Sequence, residues 1–257
     1  MMKKMNDNYE HLAALFWEST GELRIFPCDL ESAVLWVLPV AVVKLPRLGL
    51  SSIRRWLEAR NIEMPYAGRE KRIRACLLAR CGSGLIFLDG ADPEDEQRFS
   101  LAHDVAHFIL DYQSHRQRAI DSLGNRIVEV LDGERKATVE ERLTGILSGM
   151  TIGPFMHLMD RNKYNRISRR VILDIEDAAE RFALELIAPQ KEVERYMDQA
   201  YPEWYNSSSQ SNDAVVLAAR VFGIPPHVMA SYLTYLASLR RPRQSFKDWI
   251  GWPPSER

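Results

Sequence analysis

Phe99-Ser100-Leu101-Ala102-His103-Asp104-Val105-Ala106-His107-Phe108-Ile109-Leu110-Asp111 is the stretch that decides how this chain is read. Leu101, Val105, Phe108 and Ile109 recur at helical spacing, so the stretch predicts an amphipathic helix with one face toward a core. His103 and His107 are one turn apart and leave the same face, with Cβ atoms about 5–6 Å from each other. That spacing suits two ligands of one tetrahedral zinc ion. In the H-E-x-x-H pattern the residue after the first histidine is a glutamate that serves as general base. Here it is Asp104.

The chain has 257 residues and a formal net charge of -1. The length suffices for one elaborated domain with a sizeable core. The charge gives no global field for nucleic acid or an anionic membrane. The start, Met1-Met2-Lys3-Lys4-Met5-Asn6-Asp7, lacks the apolar stretch of a signal peptide. The most apolar run, Ala33 to Leu45, is too short to span a bilayer and contains Pro39 and Lys44. Cys28, Cys76 and Cys81 show no zinc-finger spacing and read as reduced thiols of a cytoplasmic protein.

Outward from the His103 helix, a short helix is expected over residues 9–20 and another from Leu30, capped by Asp29. Val40 to Leu45 reads as a strand, and Leu50 to Ala59 as a helix capped by Ser51 or Ser52. Ile73 to Ala79 and Leu85 to Leu88 read as two more strands, joined by a hairpin turn at Cys81-Gly82-Ser83-Gly84. Residues 112–170 are charged, poorly patterned and expected to be helical, as an insert beside the cleft. Residues 160–170 within them are basic, either a solvated loop or a lid or docking site for an acidic partner. Ile175, Ala179, Phe182, Ala183, Leu186 and Ile187 form a helical stripe ending at Pro189. A further short helix covers 190–200, a serine-rich connector follows at 207–212, and a closing helical pair spans 213–239. The expected organisation is one domain over residues 1–239 and an irregular tail over 240–257.

A zinc held by two histidines needs a third protein ligand if water is to take the fourth position. Glu176, Asp177 and Glu180 lie in the stripe helix, and spacing alone does not rank them. A second carboxylate there would orient a ligand histidine from the outer shell. His11, His115, His157 and His227 have no ligand spacing and read as surface or packing residues, His157 standing out only for its place in the insert. Tyr112, just past the His103 helix, is a candidate oxyanion donor or core residue.

Gln97-Arg98-Phe99-Ser100-Leu101-Ala102-His103-Asp104-Val105-Ala106-His107-Phe108 resembles the R-F-[ST]-L-A-H-E-x-[GA]-H-[FL] signature of the ImmA/IrrE-type zinc metallopeptidases. Glu176 to Pro189 is similar to that family's E-x-x-A-[ND]-x-F-A-x-x-L-[LI]-x-P helix, and Phe222-Gly223-Ile224-Pro225 to its F-G-[VL]-[SP] turn. The resemblance implies a zincin-like α+β domain, with a small antiparallel sheet packed on a mostly helical body. It implies zinc ligands at His103, His107 and Glu176, which ranks Glu176 above Glu180, and a general base at Asp104. Two departures stand out. Asp104 is one methylene short of glutamate, about 1.5 Å less reach, where a base must come within about 2.6–3.2 Å of the proton it takes. Glu180 replaces the usual Asn or Asp. In addition, 68 residues, 108–175, separate His107 from Glu176, more than a minimal family member needs.

Three functions follow as expectations. The first is a zinc-dependent cytoplasmic peptidase that cuts a regulatory protein such as a helix-turn-helix repressor, in transcription regulation under stress. Zinc would polarise the scissile carbonyl, Asp104 would move the proton, and Leu85 to Leu88 would bind substrate as an edge strand. The second is a pseudo-peptidase that keeps the metal site and acts as a protein-binding regulator or sensor. The third is a DNA-binding module at 213–239. Its second helix begins Pro226-His227-Val228-Met229-Ala230-Ser231-Tyr232, with no Arg, Lys, Asn or Gln to read bases, so direct nucleic-acid binding is not expected.

Overall fold

A two-residue hairpin builds the centre of the sheet. Cys81 and Gly82 both adopt positive φ, 52° and 77°, the twist that lets paired strands continue without splaying. They join β2 (Ile73–Arg80) to β3 (Ser83–Asp89), with Arg80 opposite Ser83. The structure, a computed structural model, describes residues 2–64, 68–147, 154–161, 170–202, 204–205 and 211–240. Most of the basic segment 160–170, most of the serine-rich connector and the tail from 241 lie outside them.

The fold is α+β. Helix α1 (Met2–Glu18) and α2 (Leu30–Val37) precede β1 (Val40–Leu45), and α3 (Leu50–Glu58) precedes the hairpin. Asp29 caps α2 as expected, accepting from the Ser32 amide at 3.1 Å. Helix α3 is capped two or three residues earlier than expected. Gly49 is its N-cap residue, and the Ser52 hydroxyl accepts the Gly49 amide at 3.0 Å. The chain then enters α4 (Glu94–His107), whose first turn carries Glu94, Asp95 and Glu96 at the positive end of the helix dipole. A π-helical turn (Phe108–Gln113) leads into α5 (Ser114–Leu123).

The sheet runs in the order β1-β3-β2-β4, with β1 parallel to β3 and the other pairs antiparallel, so it is mixed and not wholly antiparallel as expected. Leu85 to Leu88 therefore lies inside the sheet, between β1 and β2. The expected edge strand is not an edge. Among the described strands, β1 and β4 (Phe155–Asp160) are the outer ones. Strand β4 falls where the sequence predicts only helix. One face of the sheet supplies Cys76 and Phe87 to a core with Leu48, Leu50, Ile53, Leu57 and Ile73. The other face carries the row Val42, Ile86, Leu77 and His157, paired across all four strands. Paired residues point the same way, and this row faces α4.

Helix α4 is buried along its length from Phe99 to His107, the polar Ser100, His103, Asp104 and His107 included. It packs on α8 (Arg170–Ile187). Ala179, Phe182, Ala183, Leu186 and Ile187 of the α8 stripe are inaccessible, whereas Ile175 is exposed. The insert between the two has a core of its own. Ala119 of α5, Ile127 of a short 3-10 turn, and Val130 and Leu131 of α6 (Val128–Leu131) cluster with Ile120, Leu123 and Ala137. Arg116 clamps this cluster by paired bonds of 2.6 and 3.0 Å to Asp132. Helix α7 (Val139–Leu147) precedes β4.

The contacts divide the chain into two units, Met1–Pro189 with Phe222–Ile224, and Gln190–Val221 with Pro225–Arg257. The second holds α9 (Gln190–Ala200), most of α10 (Asn212–Phe222) and α11 (Pro226–Arg240). In it Arg240 bonds Asp198 at 2.6 and 2.9 Å and Glu194 at 3.2 Å, tying α11 to α9. Among the described residues no single helix is long and apolar enough to cross a membrane. The bent pair α10 and α11, at 107°, passes that test only when taken together.

Candidate metal centre

Three elements of the first unit deliver the site. Helix α4 presents His103 and His107, the first turns of α8 present Glu176, and the outer strand β4 presents His157. Each offers one ligand atom, and the four atoms lie within 4.8 Å of one another. The two α4 imidazoles meet Nε2 to Nε2 at 3.1 Å. Glu176 Oε2 stands 3.3 Å from His103 Nε2 and 3.9 Å from His107 Nε2. Glu176 Oε1 stands 3.3 Å from His157 Nε2.

Two aspartates fix the orientation of two of the rings. A carboxylate only accepts, so the nitrogen facing it carries the proton and the other is turned inward. His107 Nδ1 donates to Asp111 Oδ2 at 2.6 Å. His157 Nδ1 donates to Asp104 Oδ1 at 2.8 Å. Asp111 sits on the π-helical turn, four residues after His107. Such turns recur at functional sites. His103 Nδ1 and Asp104 Oδ2 are buried with no hydrogen-bond partner among the described residues.

The electrostatics suit a cation. Burial disfavours charge on His157, but its hydrogen bonds to Asp104 and Glu176 prevail and raise it to about 9. Burial lowers His103, against the bond from Glu176. Glu176 is pushed up by burial and pulled further down by His103 and His157, ending well below the usual carboxylate range. The two carboxylates on either side of His157 thus favour positive charge at this point of the site. Three inward imidazole nitrogens and a carboxylate are a donor set that zinc accepts. At zinc–nitrogen lengths of 2.0–2.1 Å, tetrahedral ligand atoms stand roughly 3.3 Å apart, against 3.1–3.9 Å among His103, His107 and Glu176 and up to 4.8 Å across the whole set here.

The sequence-predicted residues divide accordingly. His103, His107 and Glu176 come together. Asp104 is at the site, fully buried, with its bonded oxygen turned to His157. Glu180 is not in the cluster. Tyr112 accepts the Gly82 amide at 2.8 Å through its hydroxyl, holding the hairpin turn. His157 and Asp111 are the residues that sequence reasoning passed over. His157 is neither a surface nor a simple packing histidine. Asp111 had a signal, since it follows His107 at the helical i+4 spacing.

A small sheet whose outer strand borders a buried helix bearing two inward histidines, with a glutamate from a second helix, defines a zincin-like metallopeptidase domain. Residues 64–188 match the family model Peptidase_M78, described as the IrrE N-terminal-like domain, which supports the resemblance to the ImmA/IrrE-type family. No curated protein matches the chain.

Proposed function

We propose that this chain is a zinc-dependent peptidase acting on a regulatory protein such as a helix-turn-helix repressor. One observation carries the reading: His103 Nε2, His107 Nε2 and Glu176 Oε2 converge within 3.1–3.9 Å of each other from two packed helices. A zinc held there would supply Lewis acidity to the scissile carbonyl and to water. His103 and His107 hold it from α4 and Glu176 from α8, with Asp111 orienting His107. In this reading Asp104 would move the proton once its Oδ1 is released from His157. The outer edge of β4 offers substrate the strand addition that buried β3 cannot.

The second reading, a pseudo-peptidase that keeps the metal and binds a protein partner, draws on a different observation. Asp104 Oδ1 is already engaged by His157. The two readings separate on one experiment. The purified chain is loaded with zinc and incubated with a helix-turn-helix repressor encoded beside it. A peptidase gives stoichiometric zinc and a discrete cut that His103→Ala abolishes. A pseudo-peptidase gives zinc and complex formation with no cut.

A further inference from the structure

We infer that His157 is a fourth protein ligand, held in place by Asp104, so that the resting centre is closed by three histidines and one glutamate. The inference rests on the metal-centre reading above and deepens it. His157 offers a ligand atom within 4.8 Å of those of His103 and His107, and the separation of its Nε2 from Glu176 Oε1, 3.3 Å, equals that of His103 Nε2 from Oε2 of the same carboxylate. Its Nδ1 is committed to Asp104 in the arrangement by which His107 is committed to Asp111. Ligand histidines characteristically give their other nitrogen to a carboxylate in this way.

The strand fixes its place. His157 is paired with Leu77 in the row that faces α4, so the sheet register aims the ring at the helix that carries the other two. One adjustment is needed. The His107 and His157 rings are stacked, with centroids 3.7 Å apart and planes at 26°, flatter than two imidazoles stand on one tetrahedral ion. They must splay. Turning His157 about its bond to Asp104 opens the stack and keeps that bond. Withdrawing His157 altogether would leave both oxygens of a fully buried carboxylate without a partner among the described residues, because Oδ2 already lacks one.

The consequence concerns Asp104. Where a glutamate would reach toward the reacting water, the shorter aspartate is directed at a histidine. It acts as a positioning residue. A centre with four protein ligands offers no place for water or a substrate carbonyl. Peptidase chemistry on this chain then requires His157 to leave first, and the resting protein is latent.

The test uses the whole chain, stripped and reloaded with zinc alone or cobalt(II) alone. X-ray absorption on the zinc form counts imidazole ligands, and azide added to the cobalt form probes for an open position. Three imidazoles and cobalt bands unmoved by azide are expected for the wild type. Two imidazoles and azide-shifted bands are expected for His157→Ala, or for His157→Gln should the alanine variant not fold. Asp104→Ala lowers zinc affinity about 10- to 100-fold. Two imidazoles and azide-sensitive bands in the wild type overturn the inference and leave the metal-centre reading standing. A wild type that takes up no zinc overturns that reading itself.

Discussion

Helix α4 and strand β4 both place imidazoles at one point, but they do it by different means. On α4 the placement is local. His103 and His107 are one turn apart, and any helix that forms there aligns them. On β4 it is long-range. His157 arrives because Leu77 pairs with it 80 residues away in sequence, and a slip of one residue in that register would turn it to the opposite face. A helix carries its site in its own periodicity, whereas a strand borrows its site from its neighbours.

The sharpest way to break the helix half of this comparison is on α8. Zinc bound by a full set of protein ligands is worth about 10–16 kcal/mol, so the loss of one ligand costs roughly a quarter of that. Glu176→Ala is expected to lower zinc affinity by about 10²- to 10³-fold, measured by competition with a chelator. Glu180→Ala, one turn on and outside the cluster, is expected to change it by less than about threefold. Equal losses at the two positions would sink the choice of Glu176.

That contrast also explains how much was legible in the sequence. The α4 and α8 motifs, the hairpin, the Asp29 cap and the helices from 190 onward follow from local spacing and turn chemistry, and the structure has them. Strand β4 was not legible. Phe155-Met156-His157-Leu158-Met159-Asp160 is short, its methionines carry no strand preference, and a charged segment follows it. It is a strand because β2 has a free edge to pair with, and its Leu158 and Met156 complete the face over α3. The order of the sheet was hidden for the same reason. Nothing within Leu85 to Leu88 says that β1 returns to lie beside it in parallel. The insert's own core was missed because its few apolar residues are spread over α5, the 3-10 turn and α6, too short for a period to show.

Asp89 tests how far the far end of β4 depends on such remote partners. Its carboxylate is fully buried at the end of β3. It accepts the Arg47 amide at 2.8 Å, the Ala91 amide at 3.0 Å and Arg72 at 3.2 Å, and it pairs with Arg161, the residue that follows β4. Arg161 also reaches Asp92 at 2.9 Å. Asp89→Asn removes the charge and leaves these guanidinium groups short of a partner, at an expected cost of about 2–3 kcal/mol in urea unfolding at pH 7. Burial raises this carboxyl, but the bonds from Ala91, Arg161 and Arg72 outweigh it and hold it below the usual range. The sign follows. The stabilisation is complete above the unfolded-state value near 4 and is lost as pH falls through the lowered folded value. The gap between wild type and variant should therefore narrow below about pH 4. A gap independent of pH would show that the charge of Asp89 is not what holds β4.

The smallest expected effect concerns the contact between sheet and ligand helix, and two glycines of one hairpin separate it from backbone strain. Gly84 lies in β3 against the ring of Phe108, the residue after His107. A Cβ there would stand 2.9 Å from Phe108 Cε2 and 3.2 Å from Val40 Cγ2, and Phe108 is fully buried with no room to retreat. Gly82, two residues earlier, has φ +77°, and the nearest atom to an added Cβ is Arg116 Nε at 3.6 Å. Alanine at Gly84 overpacks and is expected to cost about 1–3 kcal/mol. Alanine at Gly82 strains the turn and is expected to cost about 1 kcal/mol. Both lower Tm, by roughly 2–4 °C per kcal/mol for a chain of this size. Only Gly84→Ala pushes on the turn that follows His107, so only it should weaken zinc binding as well. If the two variants lose zinc affinity equally, the sheet supports α4 through general stability rather than through the Phe108 contact. If neither loses any, the ligand geometry of α4 is set by its packing on α8 alone.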